Sequence, residues 1–575
     1  MSATTIDWDQ DVEISKEESC QSLQNALNRN QGFGLYFVRS SPVQIQNIIE
    51  DIKRDLPNKN IGILPLTDEV DNLFNLITNF PDYQNLNILF ISGLELSLLR
   101  YEERESEGLF LSSQSAVYGG TWAGVPRILG HLNLSRERFR EHFPFSIVFC
   151  LPEFALRYFI RRAPDFFDWR SGVYEFPTEL ETLNLEALNL LLNESQNLEK
   201  YQTWTEQERL QRLTGIRTYL SESPDLQIAS ELWFEKGLIH VTAGEYQDAI
   251  TAYDHALQFQ TDYHEAWFNK GIIFSKLGRL EEAITAYDHA ITISGDHDDT
   301  FYNRGVTLGK LGRMEEAIAD FEQAIMIKPN NFEAWINRGI VLCKLKRLEE
   351  GITSFDKAIQ IKFDVPEAWY NRGRVLSDLD RYEEALLSYE KAINIQPNYA
   401  NAWLGKANQL ISLKRNEEAL LSYKKAIEIE PNYAYAWTNM GLTLANLDRY
   451  DDAITSSDKA IEIAPNDPSI WYSRGITLIK LGEEEESINC LEKSLVLEFN
   501  KIVYDKAIDV LLEKTQKSLI TNQKLNLVQK VSTILIKSFL IPTIIKPLLK
   551  SEKIIIFLAI LRKLNSEYDK NRHRL

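Results

Sequence analysis

Cysteine is scarce: four residues in 575, Cys20, Cys150, Cys343 and Cys490, far apart and with no CxxC pair. That usage argues against a zinc ribbon or a disulfide framework and fits an intracellular protein. No eighteen-residue run is both apolar and free of charge, and the start, MSATTIDWDQDVEISKEES, is acidic where a secretory leader is basic and then apolar. A soluble, cytoplasmic protein is expected. Basic residues are in deficit, 63 Lys and Arg against 83 Asp and Glu, and a net charge of -20 disfavours general nucleic-acid binding, which needs clustered cations to neutralise phosphates. Catalytic and metal signatures are missing too. The eight histidines form no HExxH, GDHDD at 295–299 lacks calcium-loop spacing, and GLFLSSQSAVYGGTWAG contains no GxSxG elbow. No enzyme activity, cofactor or metal is therefore expected.

The charge that is present is uneven. Residues 501–575 hold fifteen Lys and Arg against six Asp and Glu, a local +9 behind an acidic body. This segment is apolar but interrupted by Lys537, Lys546, Lys550, Lys553, Pro542 and Pro547. It reads as helices capping the preceding array, with a basic membrane-surface segment at 531–575 as the sharper alternative.

Self-similarity dominates the middle of the chain. Large aromatics stand at Trp233, Trp267, Phe301, Trp335, Trp369, Trp403, Trp437 and Trp471, each 34 residues after the last. Four positions on come Gly237, Gly271, Gly305, Gly339, Gly373, Ala407, Gly441 and Gly475, and alanines keep the same beat at Ala249, Ala283 and Ala317 and at Ala256, Ala290 and Ala324. Trp267, Gly271 and Phe274 share one face of a first helix, and Ala283, Tyr287 and Ala290 share one face of a second. Mid-helix glycine costs ~1 kcal/mol relative to alanine, so its recurrence demands close backbone approach, with Gly271 expected against a small residue such as Ala283. Each unit is a helical hairpin, separated from the next by turn sequences such as KPNN, QPNY and EPNY, and it must stack on its neighbours to bury its apolar face.

This pattern resembles the tetratricopeptide repeat over eight registers, residues 230–501. The resemblance implies a right-handed superhelix whose concave groove, lined mainly by first helices, holds peptides or partner proteins. Two residues after the aromatic, asparagine recurs at Asn269, Asn303, Asn337, Asn371 and Asn439. Its amide both donates and accepts, which suits an extended peptide backbone, and in the family this slot commonly faces the groove. The competing role is a tie between adjacent repeats. Phe234, Phe268, Tyr302 and Tyr370 form an adjacent strip, read either as contact surface or as inter-repeat packing. A basic series, Lys236, Lys270, Arg304, Arg338, Arg372, Lys406 and Arg474, suits an acidic ligand, with Glu265, Glu333 and Glu367 nearby as counter-charges. One subclass of the family clamps a C-terminal carboxylate with Lys and Asn, and this chain carries aromatic and aliphatic residues in those slots.

Residues 1–176 read differently. Apolar runs at 32–40, 61–66, 87–95 and 145–153 look like buried strands alternating with helices, an α/β unit with a mainly parallel sheet. NILFISGLE resembles a Walker B strand with Glu95 as a displaced acid, FSIVFCLPE a sensor strand, and the whole a STAND/AAA-like P-loop NTPase domain of the kind that precedes helical repeats. After the first strand, however, FVRSSPVQIQNIIE stands where GxxxxGK[ST] is needed, so the resemblance implies a degenerate, inactive domain. The rival is nucleotide binding through Arg39 and Ser40.

The expected architecture is thus an α/β domain (1–176), a helical linker (177–229), an all-α tetratricopeptide superhelical solenoid (230–501) and a basic helical cap (502–575). The expected function is a non-catalytic scaffold or adaptor binding a protein or peptide. A nucleotide-controlled switch and a peripheral membrane assembly factor are the alternatives.

Overall fold

The computed structural model describes residues 15–99, 126–176, 178–193 and 198–497. The chain forms two compact units, Met1–Asp296 and His297–Leu575, and this division falls inside the repeat array. The expected cap at 502–575, with its possible membrane segment 531–575, lies outside the described residues. Among the described residues no helix is long and apolar enough to cross a membrane.

The first unit opens with an α/β layer: α1 (Lys16–Arg29), β1 (Gly34–Arg39), α2 (Pro42–Asp55), β2 (Ile61–Pro65), α3 (Leu73–Thr78), β3 (Ile88–Ser92), α4 (Arg127–His142), β4 (Ser146–Leu151), α5 (Glu153–Arg162), α6 (Pro164–Phe167) and β5 (Gly172–Glu175). The five strands pair in parallel in the order β2-β3-β4-β1-β5. Alternate residues enter opposite cores. Leu35, Phe37, Leu89, Ile91, Ile147 and Phe149 pack towards α3–α6, while Tyr36, Val38, Ile88, Phe90 and Val148 pack towards α1 and α2. Burial on both faces explains why these strands read as unbroken apolar runs. β5 has no such run because it is a four-residue, half-exposed edge strand. The expected strand at 87–95 ends at Ser92. Gly93 then adopts φ 85°, and a Cβ there would lie 2.0 Å from the Leu66 carbonyl oxygen, so the chain turns and Glu95 falls in a 3-10 turn off the strand.

Three helices follow, α7 (Leu180–Asn193), α8 (Leu198–Thr203) and α9 (Glu206–Ser221). α9 serves two cores: Leu210 packs with the α/β layer, and Ile216 and Tyr219 pack with the first repeats. Arg212 of α9 makes a buried two-point ion pair with Glu235 of the first repeat, at 2.7 and 3.0 Å, and the Tyr201 hydroxyl donates to the same carboxylate at 2.8 Å. A pair desolvated to this degree holds only while all its partners remain.

From Leu226 the helices alternate in pairs as a tetratricopeptide-like solenoid. Repeats 1 and 2 (Leu226–Ala243 with Tyr246–Phe259, His264–Lys276 with Leu280–Ile293) complete the first unit. Repeats 3 to 8, from Asp298–Leu311 to Glu484–Leu497, form the second. The recurring glycine meets the alanine slot of the second helix in some repeats, as at Gly373 and Gly441, where a Cβ would lie 3.2 and 3.1 Å from the Ala385 and Ala453 carbonyl oxygens, but in the earlier repeats an aromatic ring comes closer. A Cβ on Gly237, Gly271, Gly305 or Gly339 would meet the ring of Tyr253, Tyr287, Phe321 or Phe355 at 2.4, 2.5, 2.9 or 2.8 Å. The second helix lays an aromatic ring across the first, and glycine is the residue that admits it. The 34-residue tryptophans have another task. They are half-buried, and the indole N–H of Trp335, Trp369, Trp403, Trp437 and Trp471 donates to the carbonyl six residues earlier, at 2.8–3.3 Å, fastening each helix to the turn before it.

These contacts set the sign of two substitutions. Gly271→Ala is expected to destabilise the protein by about 1–2 kcal/mol, overpacking at Tyr287 outweighing the helix-propensity gain. Gly309→Ala, where the nearest atom is Val341 Cγ2 at 3.8 Å, keeps that gain and is expected to stabilise by up to about 1 kcal/mol. Urea unfolding of the two variants checks both signs.

Candidate partner-binding face and front-domain crevice

In the second unit the first helices of successive repeats touch one another as well as their own second helices, which gathers their exposed faces along one side. The asparagine slot lies on these helices, half-buried. Asn303, Asn337 and Asn371 each donate from Nδ2 to the carbonyl four residues back, on Asp299, Glu333 and Glu367, at 2.8, 3.1 and 2.9 Å. In the first unit Asn269 does the same to Glu265 at 2.9 Å. The donor is thereby used within the helix and the carbonyl oxygen is left as an acceptor. Asn337 also donates to the Tyr302 hydroxyl at 3.1 Å, an inter-repeat tie. Asn439 differs: it donates to Asn408 Oδ1 at 3.2 Å, which also accepts from the Tyr423 hydroxyl at 2.7 Å.

The aromatic strip packs inward to differing degrees. Phe234 is buried against Tyr253 and Tyr263. Phe268, Tyr302 and Tyr370 are half-buried, lying 6.1, 6.1 and 5.9 Å from the second-helix rings of Tyr287, Phe321 and Tyr389. Tyr370 also meets Tyr399 at 5.2 Å.

Six of the seven cations of the basic series are paired within the fold, and with other carboxylates than those expected; Lys236 lies over the Trp233 ring. Lys270 pairs with Asp254, Arg304 with Asp320 at 2.6 Å, Arg338 with Glu322 at 2.7 Å, Arg372 with Asp356 at 2.6 Å, Lys406 with Glu390 at 3.0 Å and Arg474 with Asp458 at 2.7 Å. All these acids sit on second helices; Glu265, Glu333 and Glu367 are not the partners. Arg374, one turn after Asn371, is exposed and makes no ion pair among the described residues. Tyr399 and Tyr433 flank this region. Burial and neighbouring acid and phenol groups push both phenols up to about 12, so both stay neutral donors. Sequence reasoning passed over Arg374 because it recurs in no other repeat, and read Tyr399 and Tyr433, 34 residues apart in QPNY and EPNY, only as part of the turns between repeats.

In the α/β layer, the connections from β1 and from β4 leave in opposite directions, so the crevice at the carboxyl ends of these two strands is where such sheets receive ligands. It is filled by the protein itself. Arg39 at the end of β1 pairs with Glu153 at 2.7 Å, Glu175 at 3.2 Å and Glu222 at 3.4 Å. Burial works against the Arg39 charge, but Glu222, Glu153 and Glu175 outweigh it and raise its pKa. Ser40 is buried and donates to Gln44 Oε1 at 3.1 Å. Ser41 caps α2 by accepting from the Gln44 N–H, and the Glu186 carboxylate of α7 lies nearby, its pKa raised by burial and lowered by the Ser41 hydroxyl, burial prevailing. A helix N-terminus that elsewhere attracts phosphate thus has a protein carboxylate beside it.

Glu95, the displaced acid, is buried, and one carboxylate oxygen has no hydrogen-bond partner. Desolvation pushes its pKa up to about 7. A folded-state pKa above the unfolded value means that the group's stabilising contribution is fully present below about pH 4.3 and is lost as pH rises through 7, where the folded protein at last releases the proton. Stability of the front domain is expected to fall by about 3 kcal/mol as pH rises from 4.5 to 7.5, and Glu95→Gln to remove that slope. Urea unfolding at pH 5 and pH 8 for the two proteins measures it.

The comparisons concern the repeats. Family models described as tetratricopeptide repeat match residues 234–298, 299–331, 332–365, 366–399, 434–467 and 457–489, and one described as TPR repeat matches 407–448. This segment is therefore a tetratricopeptide array. No curated protein matches the chain. Similar solved structures include YrrB, titled a TPR protein with an unusual peptide-binding site, at 24% identity over 32% of this chain and 96% of that one, TM-score 0.29. MamA is 22% identical over 30% and 94%, TM-score 0.28. A tetratricopeptide repeat protein from Parabacteroides merdae is 20% identical over 44% and 99%, TM-score 0.35.

Proposed function

We propose that the protein is a non-catalytic, cytoplasmic scaffold whose repeats 3 to 5 hold an extended peptide of a partner protein along their first helices. The observation that carries this reading is the row Asn303, Asn337 and Asn371, one per repeat in the same slot, each with its amide nitrogen tied to its own helix and its oxygen left to accept. Such a row reads backbone N–H groups and is indifferent to side chains. Arg374 adds a cation one turn from Asn371, which favours an acidic residue at the end of the bound segment. Changing all three asparagines to alanine in the full chain is expected to weaken binding of a peptide selected from an extended-peptide library by about a hundredfold, at roughly 1 kcal/mol for each hydrogen bond lost. Fluorescence anisotropy measures this, and undiminished affinity in the folded variant would place binding elsewhere.

The front domain, on this reading, is a degenerate STAND/AAA-like module kept for structure and contact. Arg39, Ser40 and the start of α2 are engaged by protein groups, which argues against the nucleotide-switch alternative. Millimolar MgATP is expected to leave the melting temperature unchanged; a saturable rise would restore the switch reading.

A further inference from the structure

Six repeats close the turn between their helices in one way. An arginine just before the second helix forks onto an acid three residues later, as in Arg279–Glu282, Arg313–Glu316, Arg347–Glu350, Arg381–Glu384, Arg415–Glu418 and Arg449–Asp452. Five residues before the arginine stands a buried apolar side chain, Phe274, Leu308, Leu342, Leu376, Leu410 or Leu444. Repeat 1 keeps the acid, Asp248, but has Glu245 in the arginine position and His240 in the apolar one. Repeat 8 is the internal control: it too has a glutamate, Glu483, in place of the arginine, yet it keeps Leu478 and gives its acid, Glu486, to Arg474 at 2.8 Å.

The substitutions in repeat 1 bring three donors together. Ligand atoms of His240, Glu245 and Asp248 lie within 4.8 Å of one another. His240 is 6% exposed, its Nδ1 is 2.7 Å from the Glu245 carboxylate, and its Nε2 has no hydrogen-bond partner. All three residues line a cavity of about 770 Å³ that also reaches Arg209, Arg217 and His255. An imidazole in a slot that six repeats fill with hydrocarbon is costly to bury unless its nitrogens are used.

We propose that repeat 1 binds a divalent transition cation of the zinc type through His240, Glu245 and Asp248, the metal standing where repeats 2 to 7 place a guanidinium. One imidazole and two carboxylates are a donor set such ions accept. Donors around a tetrahedral zinc are about 3.4 Å apart, within small side-chain adjustments of the spacing here. Three protein ligands leave a fourth position for water or for a group entering the cavity. The competing source of positive charge is a proton on His240.

The test is calorimetric titration of the chelator-dialysed full chain with zinc chloride, with bound zinc counted by elemental analysis. One zinc per chain is expected. His240→Leu with Glu245→Arg, which gives repeat 1 the residues of repeat 3 at both positions, is expected to abolish binding while the helical circular dichroism stays unchanged. The near-isosteric Asp248→Asn, which does not depend on the fate of the double variant, is expected to weaken binding by more than about tenfold. A wild-type chain that takes up no zinc, or variants that bind it as the wild type does, would overturn the proposal and leave the protonated histidine as the account of this turn.

Discussion

The close approach of an aromatic ring on the second helix to a glycine on the first, made in repeats 1 to 5, is the contact on which that part of the array depends. At Gly237, Gly271, Gly305 and Gly339 there is no room for one more carbon atom. The ring in turn sets the tilt of the hairpin, and the tilt decides which residues of the first helix remain outside. The asparagine slot, two residues after the tryptophan and two before the glycine, is thus placed by the same packing that stabilises the repeat. Asparagine row and core are two consequences of one spacing, and a hairpin that loosened at the glycine would lose the alignment of its asparagine with the next.

Charge is handled with the same economy. The chain carries 63 Lys and Arg and 83 Asp and Glu, yet the regular series inside the repeats pairs off one helix against another. These pairs are partly exposed and contribute modestly to stability. Their larger effect is to deny the first helices a general positive field, so that an isolated cation such as Arg374 stands out locally.

The repeat array was legible from the sequence because period, aromatic, glycine and alanine all report one local packing unit. The parallel sheet was legible for a related reason: strands buried on both faces cannot hide their composition. What escaped was whatever depends on neighbours distant in sequence. The ring of Tyr287 that lies nearest Gly271 was missed because spacing alone does not tell which residue of the second helix crosses the first. The counter-charges were sought on the same helix and lie on another. β5 was too short and too exposed to leave an apolar run, and Glu95 was assigned to a strand that Gly93 had already ended. His240, Glu245 and Asp248 match no familiar metal spacing, since they meet only across a helix-helix turn.

The plugged crevice bears on how readily the front domain could acquire an anion site. Arg39 is matched by Glu153, Glu175 and Glu222, and these come from three separate parts of the chain, the last of them just ahead of the first repeat. Installing a lysine and glycines after β1 would supply the loop without supplying the site, because an incoming phosphate would meet carboxylates already in residence. Gaining anion affinity requires coordinated losses at positions distant in sequence, one of them in the segment that couples this domain to the array. The fold can therefore drift at many positions while three acidic side chains keep the Arg39 charge occupied.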